Sequence, residues 1–240
     1  MIPIRDTVPR STYPFATLAI IAVNFAVFGL ELLQPDRDQN AFIYLFGLVP
    51  ARYSHPLWAK LAGFPLDTYW PFVTNLFLHG GWLHIIGNMW FLYLFGDNVE
   101  DRLGHFKFIF FYLLAGVMAN IVFFLVERNS TMPVIGASGA IAGVMAAYLR
   151  LFPRARIVTL IPILFFPFFF EVPAILFMGF WFLMQIFSGA VALTVAGDGG
   201  GIAWWAHIGG FALGYLLVKP LCSRSLGGCR RDEFYHLLYR

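Results

Sequence analysis

The sequence predicts an all-α, polytopic membrane protein, a bundle of six transmembrane helices, and three observations predict it. Of its 240 residues 60% are hydrophobic, only 12% are charged, and the apolar residues gather into segments long enough to cross a bilayer. A soluble domain of this length would carry roughly 25% charge. The 28 phenylalanines and the 19% aromatic content suit lipid-facing helices and interfacial belts. A net charge of +3, with basic residues scattered over loops, argues against a nucleic-acid partner. The lipid bilayer is the expected solvent.

A transmembrane helix needs about 20 predominantly apolar residues. Residues 1–14 are short and polar, and the apolar run that follows is long enough to be retained as a helix, which argues against a cleaved signal peptide. Five segments qualify readily, at about 15–33, 82–98, 106–126, 134–151 and 202–218. The stretch 157–196 is interrupted by Pro162, Pro167, Glu171 and Pro173. It therefore reads as an interfacial connector followed by one helix over about 172–189. The organisation is a cytoplasmic N-terminal segment 1–14, one six-helix domain over 15–219 and a polar cytoplasmic tail 220–240. Two cysteines, Cys222 and Cys229, are too few for a disulfide framework and read as free thiols.

Lys and Arg accumulate in cytoplasmic loops. With six crossings, the N-terminus, the second and fourth loops and the tail hold twelve of them, whereas the opposite side holds four, Arg37, Arg52, Lys60 and Arg128. Both termini are therefore expected on the cytoplasmic side. The long first loop, 34–71, is rich in aromatics and poor in charge. It fits either the outer membrane interface or an ectodomain packed on the helix tops.

Strongly polar side chains inside a membrane helix are costly, so each is a functional candidate. His79, His84 and Asn88 occur at the start of the second span, Ser138 at the start of the fourth and His207 at the start of the sixth. These three spans run in the same direction, which puts the polar groups in one layer near the outer surface. His84 and Asn88 are four residues apart and share a helix face. Ser138 in a first helical turn has unpaired backbone N–H groups and the positive end of the helix dipole beside it, which favour a developing oxyanion. Gly136, Gly139 and Gly143, and Ala206, Gly210 and Gly214, give both helices the small-residue spacing that lets backbones approach in lipid. A lone intramembrane histidine, or a serine between glycines, is more often helix-packing glue. The coincidence of a nucleophile, a base and oxyanion donors in one layer favours a shared polar site.

At these residues the sequence resembles the rhomboid family of intramembrane serine proteases. The matching motifs are HxxxxHxxxN as His79, His84 and Asn88, GxSG as Gly136 to Gly139, and AHxxG as Ala206, His207 and Gly210, with ExxxG as Glu100 and Gly104. The resemblance implies that Ser138 is the nucleophile and His207 the general base. It implies that His84, Asn88 and the Ser138 N–H bind the oxyanion, that His79 is structural, and that no metal or cofactor is needed. Single-span membrane proteins would be the substrates, with the fifth span as their lateral entrance and the glycine-rich loop 197–201 as a cap. Six crossings and the orientation above suggest a prokaryotic plasma membrane ahead of an organellar inner membrane. Two positions depart from the family pattern: Trp70 is followed by Pro71 where many members have arginine, and Ala142 stands where an aromatic ring usually stacks on the histidine.

Rival readings are an inactive rhomboid-like adaptor, a transporter using the same polar residues, and a metal site formed by His79, His84 and His207. No HExxH string occurs for a metalloprotease. Asp97 and Asp198 lie at helix ends or in loops, unlike the pair an intramembrane aspartyl protease requires. If His207 is the base, cleavage rises with pH as its imidazole loses a proton; a flat rate profile from about pH 5 to 8 would remove it from that role.

Overall fold

The computed structural model describes residues 2–163, 166–194 and 203–222. Strand β1 (Ile2–Asp6) leads into the long helix α1 (Phe15–Leu32). The first loop carries four short helices, α2 (Asp36–Phe46), α3 (Ala51–Ser54), α4 (Pro56–Leu61) and α5 (Pro71–Thr74), and a 3-10 turn at Asn75–Phe77. Then come α6 (Trp82–Leu103), α7 (His105–Val126), α8 (Ser138–Leu151), the strands β2 (Arg156–Ile163) and β3 (Phe166–Pro173), α9 (Ala174–Thr194) and α10 (Trp204–Leu221).

The protein is mostly helical, but the all-α expectation needs correction. Residues 2–6, 156–163 and 166–173 form a three-stranded antiparallel sheet in the order β1-β2-β3. The prolines that exclude a helix there leave an extended, β-branched and aromatic run, and β2 pairs with a neighbour on either side. Because β2 follows the end of α8 and β3 precedes α9, the sheet caps the end of the bundle away from Ser138. Among the described residues three helical segments, Phe15–Leu32, His105–Val126 and Ala174–Ala192, are long and apolar enough to cross a membrane. Helix α6 ends in Asp97, Glu100, Asp101 and Arg102, and α8 has only 14 residues.

That short helix α8 is the centre of the molecule: every residue from Gly139 to Tyr148 is buried. A helix apolar all round belongs inside a bundle. The first turn of α1 has no side-chain cap of its own. Instead Glu100 of α6 accepts the N–H groups of Ala16 and Thr17 at 2.8 and 2.7 Å, and the Thr17 hydroxyl at 2.6 Å. A carboxylate from a neighbouring helix thus satisfies orphan N–H groups at the positive end of α1. Gly104, with φ +81°, ends α6 and returns its N–H to the Glu100 carbonyl at 2.7 Å. This accounts for the ExxxG spacing.

The first loop, although it lacks arginine after Trp70, is anchored by Arg52. The residue is only 4% exposed, and its guanidinium donates to the carbonyls of Leu45 and Pro65 and to the Thr68 hydroxyl, and lies 5.8 Å from the Trp70 ring. One further correction concerns Cys222, which is disulfide-bonded and so is not the free thiol expected.

At the sheet end, Asp6 accepts hydrogen bonds from Asn98 Nδ2 at 2.9 Å and the Tyr148 hydroxyl at 2.5 Å. Burial pushes its carboxyl from 3.8 up to about 7, outweighing the Tyr148 hydrogen bond, and nearby Asp97 adds to the rise. The folded chain holds this proton more tightly than the unfolded one. The stability that this group contributes is therefore fully present below pH 3.8 and is lost as the pH rises towards about 7. Thermal unfolding in detergent should show an apparent Tm falling across that window, and Asp6→Asn should flatten the fall; an unchanged slope in the variant would mean another group is responsible.

Candidate functional site

Ser138 opens α8, and His207 lies in the first turn of α10. These two helices approach so closely that side chains are excluded between them. A Cβ on Gly210 would lie 2.0 Å from the Gly139 carbonyl oxygen, and one on Gly214 would lie 2.4 Å from Gly143 Cα. On the third side α7 presents small residues, with Ala119 and Ala115 within 2.8 and 2.7 Å of a Cβ placed on Gly139 and Gly143. This contact lets the short serine side chain reach across: Ser138 Oγ and His207 Nε2 are 2.7 Å apart. Ser138 is half-buried and His207 is 7% exposed.

His84 and Asn88 of α6 converge on the loop just before Ser138. A Cβ on Gly136 would meet His84 Nε2 at 2.8 Å and Asn88 Nδ2 at 3.6 Å, and its φ of +123° independently favours glycine there. Asn88 Nδ2 is buried without a hydrogen-bond partner, although α6 could have carried an apolar residue at that point. An orphan buried donor costs about 1–3 kcal/mol, which is tolerable where a ligand or a reacting atom later supplies the acceptor. His79 is buried behind the site. Its N–H donates to the Glu31 carboxylate at 3.2 Å, its Nδ1 is 3.3 Å from the Phe77 carbonyl, and its ring is 5.1 Å from that of His84. It braces the junction between the first loop and α6. Among the described residues no group of three or more His, Cys, Asp or Glu side chains is placed to hold a metal ion. Loop 197–201 and the tail beyond residue 222 lie outside the described residues.

Four contributors were not singled out from the sequence. Asn75 and Asn120 exchange amide hydrogen bonds at 3.0 and 2.8 Å, and the Asn75 carbonyl accepts the Gly136 N–H at 2.8 Å. This pair ties the serine loop to α7. The other two stand on α9 where Ala142 leaves His207 without an aromatic neighbour from α8. Gln185 Oε1 lies 2.7 Å from His207 Nδ1, and the Trp181 ring lies 5.8 Å from the imidazole at a 35° tilt. Gln185 and Asn120 carry the same signal as the histidines, an amide in an otherwise apolar span. A separate cavity of about 720 Å³ lies between the first loop and α7, lined by Arg52, Tyr53, Phe72, Val117 and Phe124, away from these groups.

The arrangement is that of a helical membrane protein with a serine–histidine pair near a buried, unpartnered hydrogen-bond donor. The family model of the Rhomboid domain matches residues 66–224, more than half of the chain. The chain belongs to the rhomboid family. It is 44% identical over 79 residues to Rhomboid-like protein 11, chloroplastic, of Arabidopsis thaliana, covering 32% of this chain and 28% of that one. With the Putative rhomboid protease YdcA of Bacillus subtilis it shares 33% identity over 115 residues, 46% of this chain and 57% of that one. With the human Presenilin-associated rhomboid-like protein, mitochondrial, it shares 35% identity over 89 residues, 36% and 24% of the two chains. The match thus spans from about a quarter to a little over half the length of these curated relatives. One of them is named a protease and two are named rhomboid-like.

Gly210→Ala should drive its methyl group into the Gly139 carbonyl and push α10 away from α8. A displacement of about 1 Å at reacting groups costs about 100-fold in rate. Any serine-dependent activity should therefore fall by at least that factor, while Gly29→Ala, at a position with open space around it, should leave activity unchanged.

Proposed function

We propose that this chain is an intramembrane serine endopeptidase that hydrolyses peptide bonds in or near the transmembrane segments of single-span membrane proteins. The observation that carries the proposal is the 2.7 Å contact between Ser138 Oγ and His207 Nε2, made beside the unpartnered donor Asn88 Nδ2. Membership of the rhomboid family supports it.

In the proposed reaction Ser138 Oγ attacks the scissile carbonyl carbon as its proton passes to His207 Nε2. The carbonyl oxygen becomes an oxyanion, which His84, Asn88 and the Ser138 N–H at the start of α8 stabilise. Collapse expels the amine, which takes the proton from His207, and leaves an acyl ester on Ser138. His207 then removes a proton from water, the hydroxide attacks the ester, and Ser138 recovers its proton as the carboxylic acid departs. Water is the only co-reactant. His79, Gly136, Gly139 and Gly210 are supports in this scheme, the first by packing and the glycines by allowing close approach.

The proposal includes six crossings, by α1, α6, α7, α8, α9 and α10, with both termini cytoplasmic and the serine near the outer surface. The bias of twelve basic residues to four supports it. A prokaryotic plasma membrane suits this orientation.

Wild-type protein in liposomes should be labelled by a fluorophosphonate probe, and Ser138→Ala and His207→Ala should not. Absence of labelling in folded wild type would move the function to an adaptor or a transporter. Asn88→Ala should lower kcat by about 100- to 1000-fold with little change in KM; an equal loss of substrate binding would assign Asn88 a structural role.

A further inference from the structure

We propose that Gln185 is the positioning residue of the general base, and that it makes the competence of His207 depend on the seating of α9. The inference rests on the protease reading of the Ser138–His207 pair and adds a third member to it.

A neutral imidazole carries one N–H and one lone pair. His207 can take a proton from Ser138 only when its N–H is on Nδ1 and its lone pair is on Nε2. An acceptor opposite Nδ1 selects that tautomer, and Gln185 Oε1 stands there at 2.7 Å. The amide itself is fixed, because its Nε2 donates to the Trp181 carbonyl at 3.2 Å, so the oxygen is the end that faces the imidazole. Gln185 is 6% exposed, so water does not compete freely for the bond. An amide does this without placing a second full charge at membrane depth, which a carboxylate would do. Trp181, one turn earlier, lies 5.8 Å from the imidazole and is an aromatic neighbour of the kind that an alanine at position 142 cannot supply.

Both residues belong to α9, and α9 touches the bundle along one stripe. Ala174, Met178, Trp181, Gln185 and Gly189 recur at helical spacing and face inward. Ile175, Leu176, Phe180, Leu183 and Phe187 on the other side are 57–65% exposed. Of the three long apolar segments it is the least buried. Its inner end is tied to the residue that leads into β2, where the Ala174 N–H donates to the Ala155 carbonyl at 2.8 Å. Any outward swing of the remainder about that tie withdraws Gln185 from His207. The base is then free to rotate or change tautomer, and hydrolysis waits until α9 is seated again.

The test uses the full chain in liposomes, with fluorophosphonate labelling rate and cleavage rate followed against pH. Among the described residues the titratable group whose charge reaches His207 is His84 on α6, while α8 and α9 set Ser138, Trp181 and Gln185 against it. Gln185→Met keeps the volume and removes the acceptor; labelling should fall about 10- to 100-fold with KM unchanged. Gln185→Glu keeps an acceptor and adds charge, so activity should persist with the midpoint of the rate profile moved about one to three pH units higher. Wild-type labelling rates in Gln185→Met, or an unmoved midpoint in a folded Gln185→Glu, would overturn the proposal. Failure of the underlying protease reading looks different, since wild type itself would then go unlabelled.

Discussion

Two helix backbones in this protein touch without side chains between them. Gly139 and Gly143 of α8 lie against Gly210 and Gly214 of α10 so closely that a single methyl group would overlap a carbonyl oxygen. In a bilayer the apolar solvent gives helices little reason to associate, and close backbone contact supplies dispersion where water would otherwise supply the hydrophobic effect. The same contact sets the site. A serine hydroxyl reaches only a short distance from its own backbone, so a histidine on another helix can meet it only where the two axes nearly collide. Ala115 and Ala119 of α7 keep the third side equally thin.

The remaining polar groups divide according to whether they are satisfied. Glu100 caps α1, Asn75 and Asn120 pair with each other, and Arg52 is spent on first-loop acceptors. Each removes an orphan group that would be expensive in an apolar medium. Their role is to hold helices and loops at defined positions. Asn88 Nδ2 differs, because it is buried at the serine loop with nothing to donate to. Among the described residues it is one of several buried polar atoms without a partner, His79 Nε2 among them, and it is the one that lies against the loop before Ser138.

His207 is supported by a different helix from the one that usually carries the stacking ring in the family pattern. With alanine at position 142, α8 offers His207 no ring, and α9 supplies both the flanking Trp181 and the acceptor Gln185. The support thereby moves from the most buried helix to one that exposes much of its surface. A site assembled in this way links the geometry of the histidine to how well a peripheral helix is packed.

Much of this was legible in the sequence, for identifiable physical reasons. Long apolar runs reported the helices because a bilayer admits little else. The layer holding His84, Asn88, Ser138 and His207 followed from their common position near the starts of parallel spans, and the glycine spacing indicated which helices meet. Other features depended on contacts between residues far apart in the chain. Residues 2–6, 156–163 and 166–173 carry too little local signal to declare a sheet, since strands are specified by their partners. Arg52 looked like a loop charge until the fold set Leu45, Pro65 and Thr68 around it. Gln185 was visible as a lone amide in an apolar helix, but its partner depends on the rotation and depth of α9 against α10. Composition and periodicity thus determined that the chain is a helical membrane protein and which of its polar residues share a layer. Tertiary packing alone decided which atoms meet, because hydrogen bonds form over about 3 Å, a finer scale than any spacing along a helix can specify.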